Sequence, residues 1–154
     1  MCSSDLALAE MRDAGVDAAV LHPPSSLGEA VNRYAVRAAE AHPDRFCILG
    51  HFDLASPDRE TIVARWRERP GMLGFRFTLS QPGQRSAWTD GSLEWLWSAC
   101  EREGLPVGLM PSGANVAALG KIAAAHPGLR LIVDHLGRGR SEEHTSELQS
   151  RLHL

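Results

Sequence analysis

Several short stretches of the chain end in side chains able to do chemistry. "AAVLH" closes on His22, "CILGHFD" on His51 and Asp53, "GFRFT" on Arg76 and Thr78, and "LIVDH" on Asp134 and His135. An imidazole exchanges protons near neutral pH, and a carboxylate serves as a general base. A guanidinium grips a carboxylate through two parallel hydrogen bonds. Together these types suit proton transfer on a small anionic substrate. A lone histidine at the end of an apolar run is more often structural than chemical. Their recurrence at equivalent positions keeps the functional reading level with the structural one.

The elements that must position these residues repeat one unit. The apolar runs "VDAAVLH" (16–22), "RFCILGHFD" (45–53), "MLGFRFTL" (72–79), "PVGLM" (106–110) and "LRLIVDHLG" (129–137) are near-continuous. Such runs predict parallel strands covered on both faces. Between them, residues 27–41, 58–68, 92–103 and 116–125 carry helical patterning. "AHPD", "ERPG", "EGLP" and "AHPG" stop those helices with Pro or Gly, neither of which continues one. Strand starts recur about every 23 to 34 residues, the length of a βα unit.

Repeated βα units leave two architectures, an open doubly wound sheet or a barrel. No G-x-G-x-x-G follows the first strand, so the dinucleotide-binding version lacks its phosphate turn. Ionisable residues at strand C-terminal ends fit the barrel, whose sites lie there. The expected fold is α/β, a partial (β/α)8 TIM barrel of about five parallel βα units, truncated at both ends. A whole barrel needs eight strands and about 250 residues.

Alternation along a strand assigns faces. In "MLGFRFTL", Leu73, Phe75 and Phe77 share one face, and Gly74, Arg76 and Thr78 the other. Aromatic side chains suit the helix layer, and a guanidinium buried there without a partner is costly. Arg76 is therefore expected to face the barrel mouth, gripping a substrate carboxylate or pairing with an Asp of a neighbouring strand. Asp134 and His135 are neighbours, so a regular strand sends only one of them inward. His42 and His126, at the "AHPD" and "AHPG" helix ends, read as caps on the opposite rim.

The two ends of the chain differ from the rest. Arg140–His144 can be encoded AGA TCG GAA GAG CAC. The reverse complement of the start of that string, with a preceding T, reads TGC TCT TCC GAT CT in another frame. That encodes Cys-Ser-Ser-Asp and opens a Leu codon, matching "CSSDL" at residues 2–6. Both ends resemble translated sequencing-library adapter flanking a genomic insert, the alternative being a genuine polar tail. Three segments are expected: non-native residues 1–6, a partial barrel domain over 7–139, and a non-native tail over 140–154.

Composition narrows the partners. The chain has 16 basic and 19 acidic side chains, and without those of the two odd ends it is nearly neutral. That gives no electrostatic case for nucleic acid or an acidic membrane. No apolar run approaches the roughly 18 residues of a spanning helix, and no stretch has the form of a secretory leader. Cys47 and Cys100 lack CxxC spacing and sit in apolar elements, which predicts buried thiols in a cytoplasmic protein. A small-molecule substrate is the expected partner.

"GMLGFRFTL", "HPGLRLIVDHLG" and "HPPSSLGEAVNRYAVRAAEAHPDRFCILGHFDL" together resemble the amidohydrolase-related family of metal-dependent hydrolases. The resemblance runs over residues 7–139. It is strongest to the branch holding 2-pyrone-4,6-dicarboxylate lactonase and aminocarboxymuconate-semialdehyde decarboxylase. It implies a catalytic role for His135, a carboxylate grip for Arg76, and substrate contacts from the loop 22–32, with His22 and Ser25; His51 joins the substrate-binding candidates from its strand-end position. It also implies a divalent metal such as zinc in the full-length parent. Met110 stands where metal-dependent members carry a histidine, and a thioether is a poor zinc ligand, so no metal ligand is assigned here. The family's first-strand His-x-His and last-strand Asp have no counterpart in the chain. The expected parent is a hydrolase of a small carboxylate or lactone, with this piece inactive. A decarboxylase on the same scaffold and a self-contained doubly wound small-ligand-binding domain are the alternatives.

Overall fold

The computed structural model describes residues 3–24, 28–80, 84–111, 113 and 115–137. Helix α1 spans Ser3–Asp13, and five strands alternating with four α-helices follow. These are β1 (Ala19–Leu21), α2 (Asn32–Ala41), β2 (Phe46–Gly50), α3 (Arg59–Ala64), β3 (Met72–Phe77), α4 (Glu94–Arg102), β4 (Val107–Leu109), α5 (Asn115–Ala125) and β5 (Leu131–Val133). Short 3-10 turns precede α2 and α4, follow α3, and cover Asp134–Gly137. The strands lie in one sheet in the order β1-β2-β3-β4-β5. The β1–β2, β2–β3 and β4–β5 pairs are parallel. A doubly wound sheet reverses its strand order at a switch point. Here the order follows the chain, as in successive units of a (β/α)8 barrel.

Two compact units divide the chain, Met1–Arg76 and Phe77–Leu154. In the first, the core is an aromatic stack. Trp66, in the turn after α3, lies 4.3 Å from Phe75 between ring centroids, and Phe52 lies 5.3 Å from Phe75. The Trp66 indole N–H donates to the Gly74 carbonyl at 3.0 Å. This fixes the helix-side face of β2 and β3. Gly50 is required beneath it, because a Cβ there would stand 2.8 Å from the Trp66 ring. In the second unit, α4 buries Leu96, Trp97, Ala99 and Cys100, a stripe at helical spacing.

Both units start a strand pair in the same way. In the first, the Arg45 carbonyl accepts the amide of Ala19, which opens β1. The Arg45 guanidinium donates to the carbonyls of Asp17 and Val16 just before that strand. In the second, the Arg130 carbonyl accepts the amide of Val107, which opens β4, and its guanidinium donates to the Gly104 carbonyl. The "AHP" stops set up both. His42 and His126 each close a helix with their amide and turn their carbonyl back to an amide three residues on.

Strict alternation fails at one place. Ile48 pairs with Met72 and Leu49 with Gly74, so Leu73 is an extra, unpaired residue. This bulge takes Leu73 out of the helix-side face, where it had been expected beside Phe75, and leaves it 38% exposed. Met72 replaces it, its sulfur reaching toward Gly50 and the Trp66 neighbourhood. Beyond the bulge alternation resumes, with Arg76 opposite in face to Phe75.

Candidate active site at the strand ends

His51 follows the last residue of β2, and its main chain is held by Asn32, the first residue of α2. The Asn32 side-chain amide donates to the His51 carbonyl at 2.6 Å, and the His51 amide donates to Asn32 Oδ1 at 3.5 Å. The first is a strong bond and the second lies at the limit of useful geometry. Asn32 is only 4% exposed and His51 only 6%. His51 Nε2 is buried without a hydrogen-bond partner among the described residues. Leaving such an atom unpaired costs about 1–3 kcal/mol, and orphans of this kind mark strain, catalysis or a bound group.

The last paired residues of β2 and β3 are Gly50 and Phe75. Carrying that register one residue further sets His51 level with Arg76. Arg76 is 9% exposed, so its charge is removed from bulk water near the C-terminal end of β3. Asp53, by contrast, is exposed and turns its carboxylate to the amide of Ala55 at 3.0 Å. That is an Asx turn opening the loop to α3. Thr78 takes a 3.3 Å hydrogen bond from the Ser80 hydroxyl. His22 is exposed just past β1. Ser25 lies outside the described residues.

In the second unit, Met110 is half-buried after β4. His135 is exposed, and β5 has already ended at Val133. Asp134–Gly137 form a 3-10 turn, so the alternation that separated Asp134 from His135 does not extend to them. His135 has φ 51° and Leu79 has φ 49°. Both lie two residues past the end of a strand. A left-handed backbone costs a side-chain-bearing residue about 1–2 kcal/mol and is concentrated where function over-determines geometry.

The rim at the strand starts is built for stability. His126 is buried, with Nδ1 3.1 Å from Glu101 Oε2 and Nε2 2.9 Å from Glu94 Oε1. The second contact meets the ion-pair distance but not hydrogen-bond geometry. Glu101 also accepts the Gly128 amide at 2.7 Å. That amide, and then His126, hold the Glu101 carboxyl below the usual range. Burial pushes the Cys100 thiol up to about 12.

Sequence reasoning named His51 and Arg76 as candidates but passed over Asn32. Its signal was present: Asn32 shares a helical stripe with Val36 and Ala39, so a polar residue occupies an apolar face. Among the described residues, no three of His, Cys, Asp and Glu lie close enough to hold a metal ion. With Met110 a poor donor, the residues in hand do not form a zinc shell.

Sequential parallel strands alternating with helices define the chain as part of an α/β barrel. The chain matches the amidohydrolase family over residues 2–153 and belongs to it. No curated protein sequence matches it. Among solved structures it is similar to an amidohydrolase from Burkholderia multivorans with bound zinc, at 18% identity and a TM-score of 0.72, covering 87% of this chain and 47% of that one. It is similar to a probable 2-pyrone-4,6-dicarboxylic acid hydrolase from Acinetobacter baumannii with citric acid bound, at 17% identity and a TM-score of 0.65, covering 87% and 48%. A 5-carboxyvanillate decarboxylase from Novosphingobium aromaticivorans, complexed with manganese and a nitrobenzoic acid, gives 19% identity and a TM-score of 0.68, covering 86% and 49%. The chain thus spans about half the length of these structures. No helix among the described residues is long and apolar enough to cross a membrane.

Proposed function

We propose that the full-length parent of this chain is a cytoplasmic hydrolase of a small carboxylate or lactone. The observation that carries the proposal is Arg76, a guanidinium withdrawn from water near the C-terminal end of β3, in a member of the amidohydrolase family. Arg76 holds the substrate carboxylate through two parallel hydrogen bonds. His51 offers its buried Nε2 to a substrate oxygen, and His22 and Ser25 add further substrate contacts. His135 hydrogen-bonds the carbonyl under attack or shuttles a proton to the departing oxygen. The chain spans about half the length of its structural relatives, and the carboxylate that activates water in the parent is not assigned to any residue here. Residues 1–6 and 140–154 are foreign to the gene, although Ser3–Leu6 form part of α1. Resequencing the source locus should replace both segments, and recovery of "RSEEHTSELQS" from fresh genomic DNA refutes this.

A decarboxylase is the second reading, because decarboxylases share the fold at comparable TM-scores. The full-length enzyme should be offered 2-pyrone-4,6-dicarboxylate and 5-carboxyvanillate separately. Loss of pyrone absorbance without CO2 release supports hydrolysis, whereas CO2 from the aromatic acid supports the alternative. In either case Arg76→Lys, which keeps charge but loses the fork, should lower kcat/KM by about 100-fold. An unchanged value removes Arg76 from the site.

A further inference from the structure

The first unit carries an open cavity formed by α2 and the segment leading into β3. Its volume is about 510 Å³, within the range of small-ligand sites. Val36, Pro70 and Met72 give it an apolar floor, and Arg33, Arg37 and Arg69 stand around it with a single opposing charge, Glu40. Arg33 and Arg37 are four residues apart on α2, so they share a face and repel each other. Neither forms an ion pair among the described residues. The guanidinium of Arg33 lies 5.3 Å from the Tyr34 ring centre, and that of Arg69 lies 5.1 Å from the Trp66 ring centre. Aromatic stacking therefore limits the freedom of two of the three cations before any ligand arrives. Met72 begins β3 whereas Arg76 lies near its other end, about 13 Å along an extended strand. Asn32, which holds the His51 main chain, also lines the cavity, so the cavity adjoins the His51 end of β2 while lying apart from Arg76.

We propose that this cavity binds a small amphipathic organic monoanion. The aliphatic or aromatic body lies on Val36, Pro70 and Met72, and its carboxylate is held by Arg33 and Arg37, one helical turn apart on α2. Arg33 and Arg37, neither of them ion-paired among the described residues, favour a negative ligand against the single carboxylate of Glu40, and the apolar floor favours one with a hydrocarbon part over an inorganic ion. Glu40 disfavours a second carboxylate on the same ligand.

The test is a titration of the ¹⁵N-labelled full chain with hexanoate, and in parallel with hexanol. Hexanoate should shift amides of residues 30–40 and 69–72 in a saturable way, with hexanol binding at least about tenfold more weakly. Arg37→Glu should weaken hexanoate by about tenfold, the loss of one charge-assisted contact, while amides of β4 and β5 stay in place. If Arg37→Glu loses spectral dispersion, Arg37→Gln is measured instead and should weaken binding in the same direction. Equal binding of hexanol overturns the proposal, as does hexanoate affinity indifferent to Arg37. Shifts confined to residues 51–53 and 76–80 overturn it too, by sending the ligand to the strand ends.

Discussion

Replacing Asn32 by alanine should expose how much of the site depends on one buried amide. The 2.6 Å bond from Asn32 to the His51 carbonyl would vanish, and alanine offers nothing in its place. With the residue 4% exposed, entering water cannot readily substitute. An orphaned buried carbonyl costs about 1–3 kcal/mol, and the 3.5 Å contact to the His51 amide adds little at that length. With a urea slope of about 2 kcal/mol per molar, the unfolding midpoint should fall by about 0.5–1.5 M. Asn32→Asp sharpens the test. One of its oxygens still accepts the His51 amide, but the other confronts the His51 carbonyl, acceptor against acceptor. Asp should therefore be at least as harmful as Ala at pH 7 and recover below about pH 4, where a carboxyl regains a donor. Urea titrations of the three proteins followed by circular dichroism decide the matter. A midpoint for Asn32→Ala within about 0.2 M of the parent would show that the clamp carries no weight.

Gly50→Ala should lower stability by about 1–3 kcal/mol through overpacking, since its new methyl meets the Trp66 ring at 2.8 Å; thermal unfolding with near-ultraviolet dichroism reads both the loss and the disturbed indole. Glu101 has its carboxyl held low by the Gly128 amide and His126, so its contribution is present above the ordinary carboxylate value and is lost as pH falls through the folded one. Glu101→Gln should flatten the acid limb of stability against pH, and an unaltered limb contradicts the assignment. Cys100, its thiol raised to about 12 and fully buried, should resist iodoacetamide at pH 8 until urea unfolds the chain, and rapid native alkylation identified by peptide mapping would be the contrary result.

The succession of strands and helices was readable because apolar runs and Pro or Gly stops are local signals. Residues 92–103 and 116–125 were expected as helices, and α4 and α5 fall at Glu94–Arg102 and Asn115–Ala125. Residues 27–41 and 58–68 were expected as single helices, and each is divided between a 3-10 turn and an α-helix. The opposite facing of Phe75 and Arg76 was also readable, since they are neighbours on a strand. Leu73 was not, because alternation counts positions along one chain whereas a bulge is a property of two. His135 escaped for a related reason: nothing apolar or polar in "IVDHLG" announces that β5 stops at Val133. For Asn32 only its place on an apolar stripe was legible. Its partner was not, because the carbonyl it holds lies 19 residues away in sequence.

The arginine hooks at the strand starts have a consequence for how such a protein can change. Arg45 and Arg130 fix where β2 meets β1 and where β5 meets β4, and they do so at the end remote from His51 and His135. The alignment of each pair is settled before the chain reaches the loops that follow the strands. Those loops can then lengthen, shorten or exchange their side chains without sliding one strand against its neighbour, a slip that would turn every inward residue outward. The anchorage is conservative at one rim and leaves the other free to vary, so new substrates become accessible by rewriting loops while the sheet beneath them keeps its alignment.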